Sequence, residues 1–226
     1  MANKDMCLLW GSGSAPCWRA MIVLAEKGRW KGCMNKRLDF SKGEHKQSDV
    51  LELNPRGQLP TFKDGDVVVN ESGAICMYLE EKYGDDSTYR LLPTDVNERA
   101  KVYQKMFEVS NMISNVHVPL IRYRFVTKKE DWDLERLKES TKKAKEELDR
   151  WNTILGDKDY LCGNDFTMAD VFFYPYLALL VRTGASLSGH PALKKFYDRV
   201  SKRPSVQATW PPHWKESEGP GYFSDL

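Results

Sequence analysis

The sequence predicts an α/β domain followed by an all-α domain, and two observations carry that prediction. In the first 84 residues, short apolar runs alternate with helical patterns and with tight-turn signals. From residue 95 onward the helical periodicity continues without a convincing strand. A length of 226 residues with 41% hydrophobic content is sufficient for two packed cores. We therefore divide the chain into domain 1–84, linker 85–94 and domain 95–226.

The first domain opens with a strand, a helix and a second strand. Residues 6–10 are apolar, and a helix is expected from Ala15 to Lys27, where Gly28 supplies a C-terminal cap. Residues 33–40 alternate well enough for a second strand. This part of the sequence predicts a β-α-β unit.

Turn signals organise the rest of this domain. A short helix is expected at 50–53, before the turn 54–57. An Asp-Gly turn joins two strands at 60–63 and 67–70, and Ser72–Tyr83 has helical spacing up to a glycine. The order β-α-β-α-β-β-α is that of a thioredoxin-like domain.

The second domain reads as a series of helices. Residues 96–125 are predicted to form one helix with a kink at Pro119, and residues 131–155 form another with a solvated charged face. A capping box of Thr167 and Asp170 precedes a buried central helix, and this reciprocal capping accounts for Asp170 without a catalytic role.

The C-terminal end of the chain differs in composition. A last helix is expected over 191–203, and the tail 204–226 is rich in Pro, Gly and aromatic residues. We expect this tail to wrap over the surface without regular structure, and its aromatic rings make it a candidate cover for a pocket.

Charge and cysteine content exclude several classes of function. Lys plus Arg number 34 and Asp plus Glu 32, so a net charge of +2 gives no field for nucleic acid or an anionic membrane. After a polar start, Met1 to Asp5, only five apolar residues run up to Gly11, too few for a signal peptide or a membrane span, and we expect a cytoplasmic protein. The five cysteines are scattered and odd in number, so we expect reduced thiols and no metal site.

The turn between the first strand and the first helix points to thiol chemistry. Ser14 and Cys17 have the spacing of a Cys-x-x-Cys redox motif whose first cysteine is replaced by serine. A cysteine at position 14 would become a reactive thiolate, whereas a serine can donate a hydrogen bond to the thiolate of a bound ligand. The free N–H groups at the start of the helix also favour that anion. Taken alone, the pattern also fits a serine-capped helix. Ser12 is the second candidate hydroxyl, and we expect Cys17 to pack inside.

Four motifs in order resemble a known family. They are Gly-Ser-Ala-Pro-Cys at 13–17, Asn-Pro-Arg-Gly-Gln-Leu-Pro at 54–60, Glu-Ser at 71–72 and Thr-Met-Ala-Asp at 167–170. With a thioredoxin-like half and an all-helical half, the chain resembles a cytosolic glutathione transferase with a serine-type active site. The resemblance covers essentially the whole chain. It is greatest to the rho class, which is related to the theta and delta classes.

The resemblance implies a glutathione site in the first domain. Pro60 corresponds to the cis-proline that exposes the backbone of Leu59 to the cysteinyl part of glutathione. Glu71 would accept from the ligand's ammonium group, while the Ser72 hydroxyl and the helix start would receive the γ-glutamyl carboxylate. Three further positions match the glycine-carboxylate end, namely His45, Lys46 and Gln58.

The implied reaction is conjugation of glutathione, a co-substrate, to hydrophobic electrophiles in detoxification, with no further cofactor. Ser14 would favour the thiolate of glutathione by hydrogen bonding to it. From helical phase and weak alignment, the pocket for the second substrate is assigned to Trp10, Met106, Ile113, His117 and Arg122. The physiological electrophile stays open.

The same fold is compatible with other functions. A thiol transferase or dehydroascorbate reductase needs a cysteine at position 14, whereas peroxidase activity is compatible with serine. A non-catalytic binding or interaction module is a third alternative. The family is dimeric, and we expect Met77 or Tyr78 to face the first long helix of a second copy.

One departure from the family pattern concerns the γ-glutamyl end. Gly73 stands where delta-class relatives carry an arginine. The residue that supports the γ-glutamyl end in place of this arginine is either Arg19 or a residue of a second subunit, Gln104 or Glu108.

Overall fold

In a computed structural model, which describes residues 3–85, 89–224 and 226, the chain forms two compact units. The first comprises Met1–Leu91 with Arg203–Ser217, and the second Leu92–Lys202 with Glu218–Leu226. Residues 203–217 thus group with the first unit, whereas the sequence placed them in the helical domain. Part of the expected linker, 86–88, lies outside the described residues.

The first unit is built on a four-stranded sheet of order β2-β1-β3-β4. Strand β1 pairs parallel with β2 and antiparallel with β3, and β3 pairs antiparallel with β4. The parallel pair requires the crossover helix that follows β1, and the Asp-Gly turn closes the hairpin. The strands are β1 (Asn3–Gly11), β2 (Cys33–Leu38), β3 (Thr61–Asp64) and β4 (Val67–Asn70).

Within the described residues 3–85 there are three α-helices: α1 (Ala15–Glu26), α2 (Ser48–Leu51) and α3 (Ser72–Tyr83). Helix α1 is buried along most of its length because its residues from Ala20 to Leu24 are all apolar. A buried ion pair joins α1 to α3, with Lys27 Nζ 2.6 Å from Glu80 Oε2. The order β-α-β-α-β-β-α is confirmed, and short 3₁₀ turns at Trp30–Gly32 and Glu44–Lys46 complete it.

The second unit is helical. Pro119 lies in a π-helical stretch, Ile113–Arg122, that interrupts the α-helical pattern where the sequence predicted a kink. A proline has no N–H to donate to the preceding turn, which accounts for the change. The predicted capping box of Thr167 and Asp170 is present. The helices are α4 (Val96–Met112), α5 (Tyr123–Val126), α6 (Leu134–Leu155), α7 (Met168–Arg182) and α8 (Pro191–Ser201).

The C-terminal tail corrects the expectation of an irregular segment. It contains two short helices, α9 (Pro204–Ala208) and α10 (His213–Glu216). Pro204 takes the first helical position of α9, which suits proline because its missing N–H is not needed there, and Pro212 is the N-cap of α10. Several boundaries also move: α8 ends at Ser201, before Arg203, and α6 begins at Leu134 after an Asp133 cap. The short helix expected at 50–53 is Ser48–Leu51, and the strand expected at 33–40 ends at Leu38. Within the described residues, the structure has no helix with the length and hydropathy to span a bilayer.

Candidate functional site

Ser14 is the residue that starts helix α1. Its side-chain oxygen accepts a hydrogen bond from the Cys17 N–H at 3.4 Å, and its own N–H donates to the Gly11 carbonyl at 3.3 Å. Gly13, with φ of 78°, makes the preceding turn in a conformation that favours glycine. The side chain is half-buried, so a ligand can reach it. Because the oxygen accepts from the backbone, the O–H remains a donor for an incoming sulfur.

Ser12, the other candidate hydroxyl, is already engaged. Its Oγ lies 2.6 Å from Nδ1 of His213, a residue of α10 in the same unit. The ring can accept or donate there, depending on its tautomer. This pairing favours Ser14 over Ser12 as the group that meets the ligand.

Cys17 packs inside, as expected. Its side chain is fully buried, and Gly11 N–H donates to its sulfur at 3.4 Å. Burial raises the pKa of Cys17 to about 11, although the hydrogen bond from the Gly11 N–H and the nearby Ser14 side chain oppose the rise. The thiol is therefore protonated near neutral pH and lacks the thiolate that redox chemistry needs.

The loop between α2 and β3 carries the predicted cis-proline, since the Leu59–Pro60 peptide bond is cis. Buried Asn54 holds this loop, donating from Nδ2 to the Gln58 carbonyl at 2.9 Å and accepting from the Arg56 N–H at 3.2 Å. Within the described part of the chain, no hydrogen bond engages the Leu59 backbone N–H or C=O. These two groups can pair with an extended peptide.

Glycine is required at position 57, where the cis-proline loop meets the preceding 3₁₀ turn. Gly57 has φ of 56°, and a Cβ there would lie 2.8 Å from Cδ of Lys46 and 3.0 Å from the carbonyl oxygen of His45. This contact places the 3₁₀ turn that carries His45 and Lys46 beside the loop that carries Gln58. These are the three residues predicted to bind the glycine carboxylate of glutathione.

Those three residues differ in their surroundings. Lys46 Nζ donates to the Arg56 carbonyl at 2.9 Å, and Gln58 has an exposed side chain. His45 packs edge-on against Phe40 with ring centroids 5.1 Å apart. Burial, with a smaller contribution from the charge on Lys46, lowers the pKa of His45, so the neutral ring predominates at pH 7.

Glu71 has a strained backbone at the start of α3. Its φ is 68° and ψ 119°, and no other described non-glycine residue has positive φ. Such strain costs about 1–3 kcal/mol and is typical of functional positions. The N-cap residue Glu71 makes no side-chain capping hydrogen bond, so the first N–H groups of α3 are available to an anion.

Arg56 is a partner of Glu71 that the sequence did not predict. Its Nη1 lies 3.4 Å from Glu71 Oε1, and both side chains are exposed. Arg56 lies inside the Asn-Pro-Arg-Gly motif, but the pairing depends on a fold that joins residues 15 positions apart. Arg19, a candidate for this role, is instead buried in α1, where its charge lowers the pKa of the Cys76 thiol against a larger rise caused by burial.

The residues assigned to the second-substrate pocket fall in both units. In the first unit, Trp10 is buried, donates to Asn35 Oδ1 at 3.3 Å and packs edge-on against Trp30. In the second, Met106 is buried in α4, and the other three lie in the π-helical stretch: Ile113 half-buried, His117 half-buried with its ring 5.0 Å from that of Tyr176, and Arg122 exposed. The pocket itself stays a prediction.

Across residues 3–85, 89–224 and 226, the structure brings together no three His, Cys, Asp or Glu side chains that could hold a metal ion. The five cysteines are all free thiols. The first unit thus combines a thioredoxin-like sheet, a serine at a helix start, an open peptide backbone beside a cis-proline and an acidic residue at a second helix start. These features define a protein of the class that binds a thiol-containing peptide.

Comparisons with known proteins agree with this class. A family model for the glutathione S-transferase N-terminal domain matches residues 12–87, and one for the C-terminal domain matches residues 114–209. Glutathione S-transferase A of Pleuronectes platessa is 41% identical over 226 residues, covering 99% of each chain. Glutathione S-transferase 1 of Dianthus caryophyllus is 32% identical and covers 88% of this chain and 89% of its own. The chain therefore belongs to the glutathione S-transferase family.

Solved structures agree on the fold. A glutathione S-transferase from the Antarctic clam Laternula elliptica is 48% identical, covers 98% of this chain and 99% of its own, and superposes with a TM-score of 0.88. A theta-class glutathione S-transferase from Xanthomonas axonopodis pv. citri, solved with glutathione bound, is 24% identical with a TM-score of 0.80, covering 91% and 96%. At that identity the likeness concerns the fold alone.

Proposed function

We propose that this glutathione transferase joins the thiol of glutathione to hydrophobic electrophiles, with Ser14 stabilising the thiolate. The observation that carries the proposal is the position of Ser14 at the start of α1. Its hydroxyl oxygen accepts from the Cys17 N–H, and the neighbouring hydroxyl of Ser12 is bound to His213. Ser14 is therefore the hydroxyl that can donate to a sulfur placed at the helix start.

The chemistry follows from the ionisation of glutathione. A thiol with a pKa of about 8.5 is only a few per cent ionised at pH 7, and a shift of about two units makes it mostly thiolate. A hydrogen bond to the charged form and the positive end of α1 both act in that direction. The thiolate attacks an electrophilic carbon of the second substrate, forming a C–S bond as the leaving group departs with the bonding electrons.

Glutathione would lie along the edge made by the cis-proline loop and the start of α3. Its cysteinyl backbone pairs with the Leu59 N–H and C=O in the manner of an added strand. Its ammonium group binds the Glu71 carboxylate, and its γ-glutamyl carboxylate binds at Ser72 and the N–H groups of α3. Arg56, which pairs with Glu71, fixes that carboxylate in place of the arginine absent at Gly73. The glycine carboxylate binds to His45, Lys46 and Gln58.

The second substrate and the assembly belong to the same proposal. Trp10, Met106, Ile113, His117 and Arg122 are assigned to the electrophile pocket. A homodimer, with Met77 or Tyr78 of α3 at the interface, is favoured by Phe107 on α4, a large apolar side chain that is 70% exposed in the single chain. Five free thiols favour a cytoplasmic setting. The rho class stays a prediction.

A thiol transferase is the weaker candidate. Position 14 is serine, and Cys17 is a buried thiol with its pKa raised to about 11. Neither residue supplies an attacking thiolate.

The test combines retention on immobilised glutathione with turnover of an activated aryl halide. We expect the unmodified protein to be retained and active, Ser14→Ala to lose about tenfold or more in kcat, and Ser14→Thr to keep more of it, because threonine retains a hydroxyl. Retention of Ser14→Ala on the matrix would show that its binding site is intact. Neither retention nor turnover by the unmodified protein would instead indicate a non-catalytic module.

A further inference from the structure

The C-terminal segment Arg203–Ser217 contacts α1 near both ends of the helix. Near the end of the helix, Arg203 forms two bonds to Glu26, with Nε to Oε1 at 2.6 Å and Nη2 to Oε2 at 2.8 Å. In its first half, the buried Trp18 donates from Nε1 to Thr209 Oγ1 at 2.9 Å. A bidentate arginine pair and a buried hydrogen bond together leave this segment little freedom relative to α1.

Aromatic packing carries the segment toward the start of the helix. The Trp18 ring has edge-on neighbours in Trp210 and Trp214, each with its centroid 5.4 Å away. Edge-to-face pairs at that distance add to the stability gained from burial. The packing brings α10 to the turn that precedes Ser14.

His213 of α10 contacts that turn directly. Its Nδ1 is 2.6 Å from Ser12 Oγ, and a Cβ added to Gly13 would lie 2.8 Å from His213 Cε1 and 3.3 Å from Trp214 Nε1. The imidazole therefore covers the two residues immediately before Ser14. The Ser12 side chain would otherwise rotate freely among its rotamers, and the turn containing Gly13 has little stiffness of its own.

We propose that Ser12 and His213 form a positioning pair that fixes the direction of the Ser14 hydroxyl. The pair does not touch the reacting sulfur. It acts by holding residues 12 and 13, whose conformation sets where Ser14 begins the helix, and it engages the Ser12 hydroxyl so that Ser14 alone meets the ligand. This inference rests on the proposed function of Ser14.

The geometry gives each variant a distinct expected result. Removing one hydrogen bond that acts through orientation should lower kcat by about fivefold in Ser12→Ala and in His213→Ala, with the KM for glutathione changing by less than about twofold. The double variant should lose no more than the single ones, because both disrupt the same interaction. Asparagine places an amide group close to the position of Nδ1, so His213→Asn should recover most of kcat, whereas the longer His213→Gln should not.

A control separates positioning from loss of the segment's structure. Ser217→Ala removes the bond from Ser217 Oγ to the His213 carbonyl, 3.2 Å long, while leaving the Ser12 contact in place. We expect this variant to keep the kcat of the unmodified protein. Thermal unfolding of every variant would identify any that simply fails to fold, and the comparison of His213→Asn with His213→Gln remains informative in that case.

The experiment is steady-state kinetics with glutathione and an activated aryl halide on the full chain, together with the pKa of bound glutathione from its thiolate absorption. We expect Ser12→Ala and His213→Ala to raise that pKa by about half a unit. The inference is overturned if the two single effects add in full, if only KM changes, or if His213→Asn behaves like His213→Ala. A large effect of Ser14→Ala beside unchanged pair variants would overturn the inference and leave the proposed function standing, whereas no effect of Ser14→Ala would reject the proposed function itself.

Discussion

Removing one partner of the buried ion pair between Lys27 and Glu80 is expected to destabilise the first unit strongly, because it leaves the other charge buried and uncompensated. The two charged groups are 2.6 Å apart, and neither side chain is exposed at all. Each side chain also forms a hydrogen bond with the backbone. Lys27 Nζ donates to the Tyr89 carbonyl at 2.9 Å, and Glu80 Oε1 accepts from the Leu91 N–H at 2.9 Å. The pair joins the end of α1 to α3, the two helices whose starts carry the proposed glutathione site.

Substituting Lys27→Met leaves the Glu80 carboxylate buried without its cation. Breaking a buried pair in this way costs about 3–5 kcal/mol. For a slope of about 2–3 kcal/mol per molar urea, the midpoint of unfolding should fall by about 1–2 M. The double variant Lys27→Met with Glu80→Met should lose less free energy of unfolding than the two single variants combined, because it leaves no buried charge. It should still be less stable than the unmodified protein, because the Tyr89 carbonyl and the Leu91 N–H lose these partners.

The assay is urea unfolding followed by circular dichroism. Lys36→Met is the matched control, because Lys36 pairs with Asp49 at the surface of the same unit with both side chains more than half exposed. We expect the control to leave the midpoint unchanged. A midpoint for Lys27→Met equal to that of the control would refute the reasoning.

Two further predictions concern carboxylates of the same unit. Glu71→Gln should raise the KM for glutathione about tenfold with kcat nearly unchanged, because it removes a charge partner of the bound ammonium, whereas an unchanged KM would contradict the assignment. Burial alone would raise the pKa of Asp64, but bonds from Lys82, Tyr83 and Tyr78 outweigh it and lower the pKa. Asp64 therefore contributes stability above its unfolded pKa of about 4 that is lost as the pH falls through the folded value. Urea midpoints between about pH 7 and pH 3 should decline less steeply in Asp64→Asn, and equal slopes would count against this interpretation.

Local signals explain why so much of the fold could be predicted. Ser72–Tyr83 was predicted with its observed bounds, because helical spacing runs from a polar start to a glycine. The hairpin followed from its Asp-Gly turn, and the capping box followed from Thr167 and Asp170. Each signal lies within a few residues of the element that it specifies.

The features that the sequence did not predict depend on distant parts of the chain. His213 meets Ser12 across 201 residues, and Arg56 meets Glu71 across 15. The tail was expected to be irregular because of its Pro, Gly and aromatic residues, yet Pro204 begins α9 and Pro212 is the N-cap of α10. Trp18 provides a surface for this segment by packing against Trp210 and Trp214. No local pattern records such contacts, since they arise only when the segments pack.

The pKa of glutathione bound to the protein tests the role of Ser14 most directly. It is measured by titrating the ultraviolet absorption of the thiolate in complexes of the unmodified protein and of Ser14→Ala. Because a hydrogen bond to a charged group is worth about 1.5–3 kcal/mol, the pKa should rise by about one to two units in Ser14→Ala. Ser14→Gly, which also lacks the hydroxyl but costs the helix start only a few tenths of a kcal/mol, should show the same rise. An identical thiol pKa in the unmodified protein and in both variants would contradict the account.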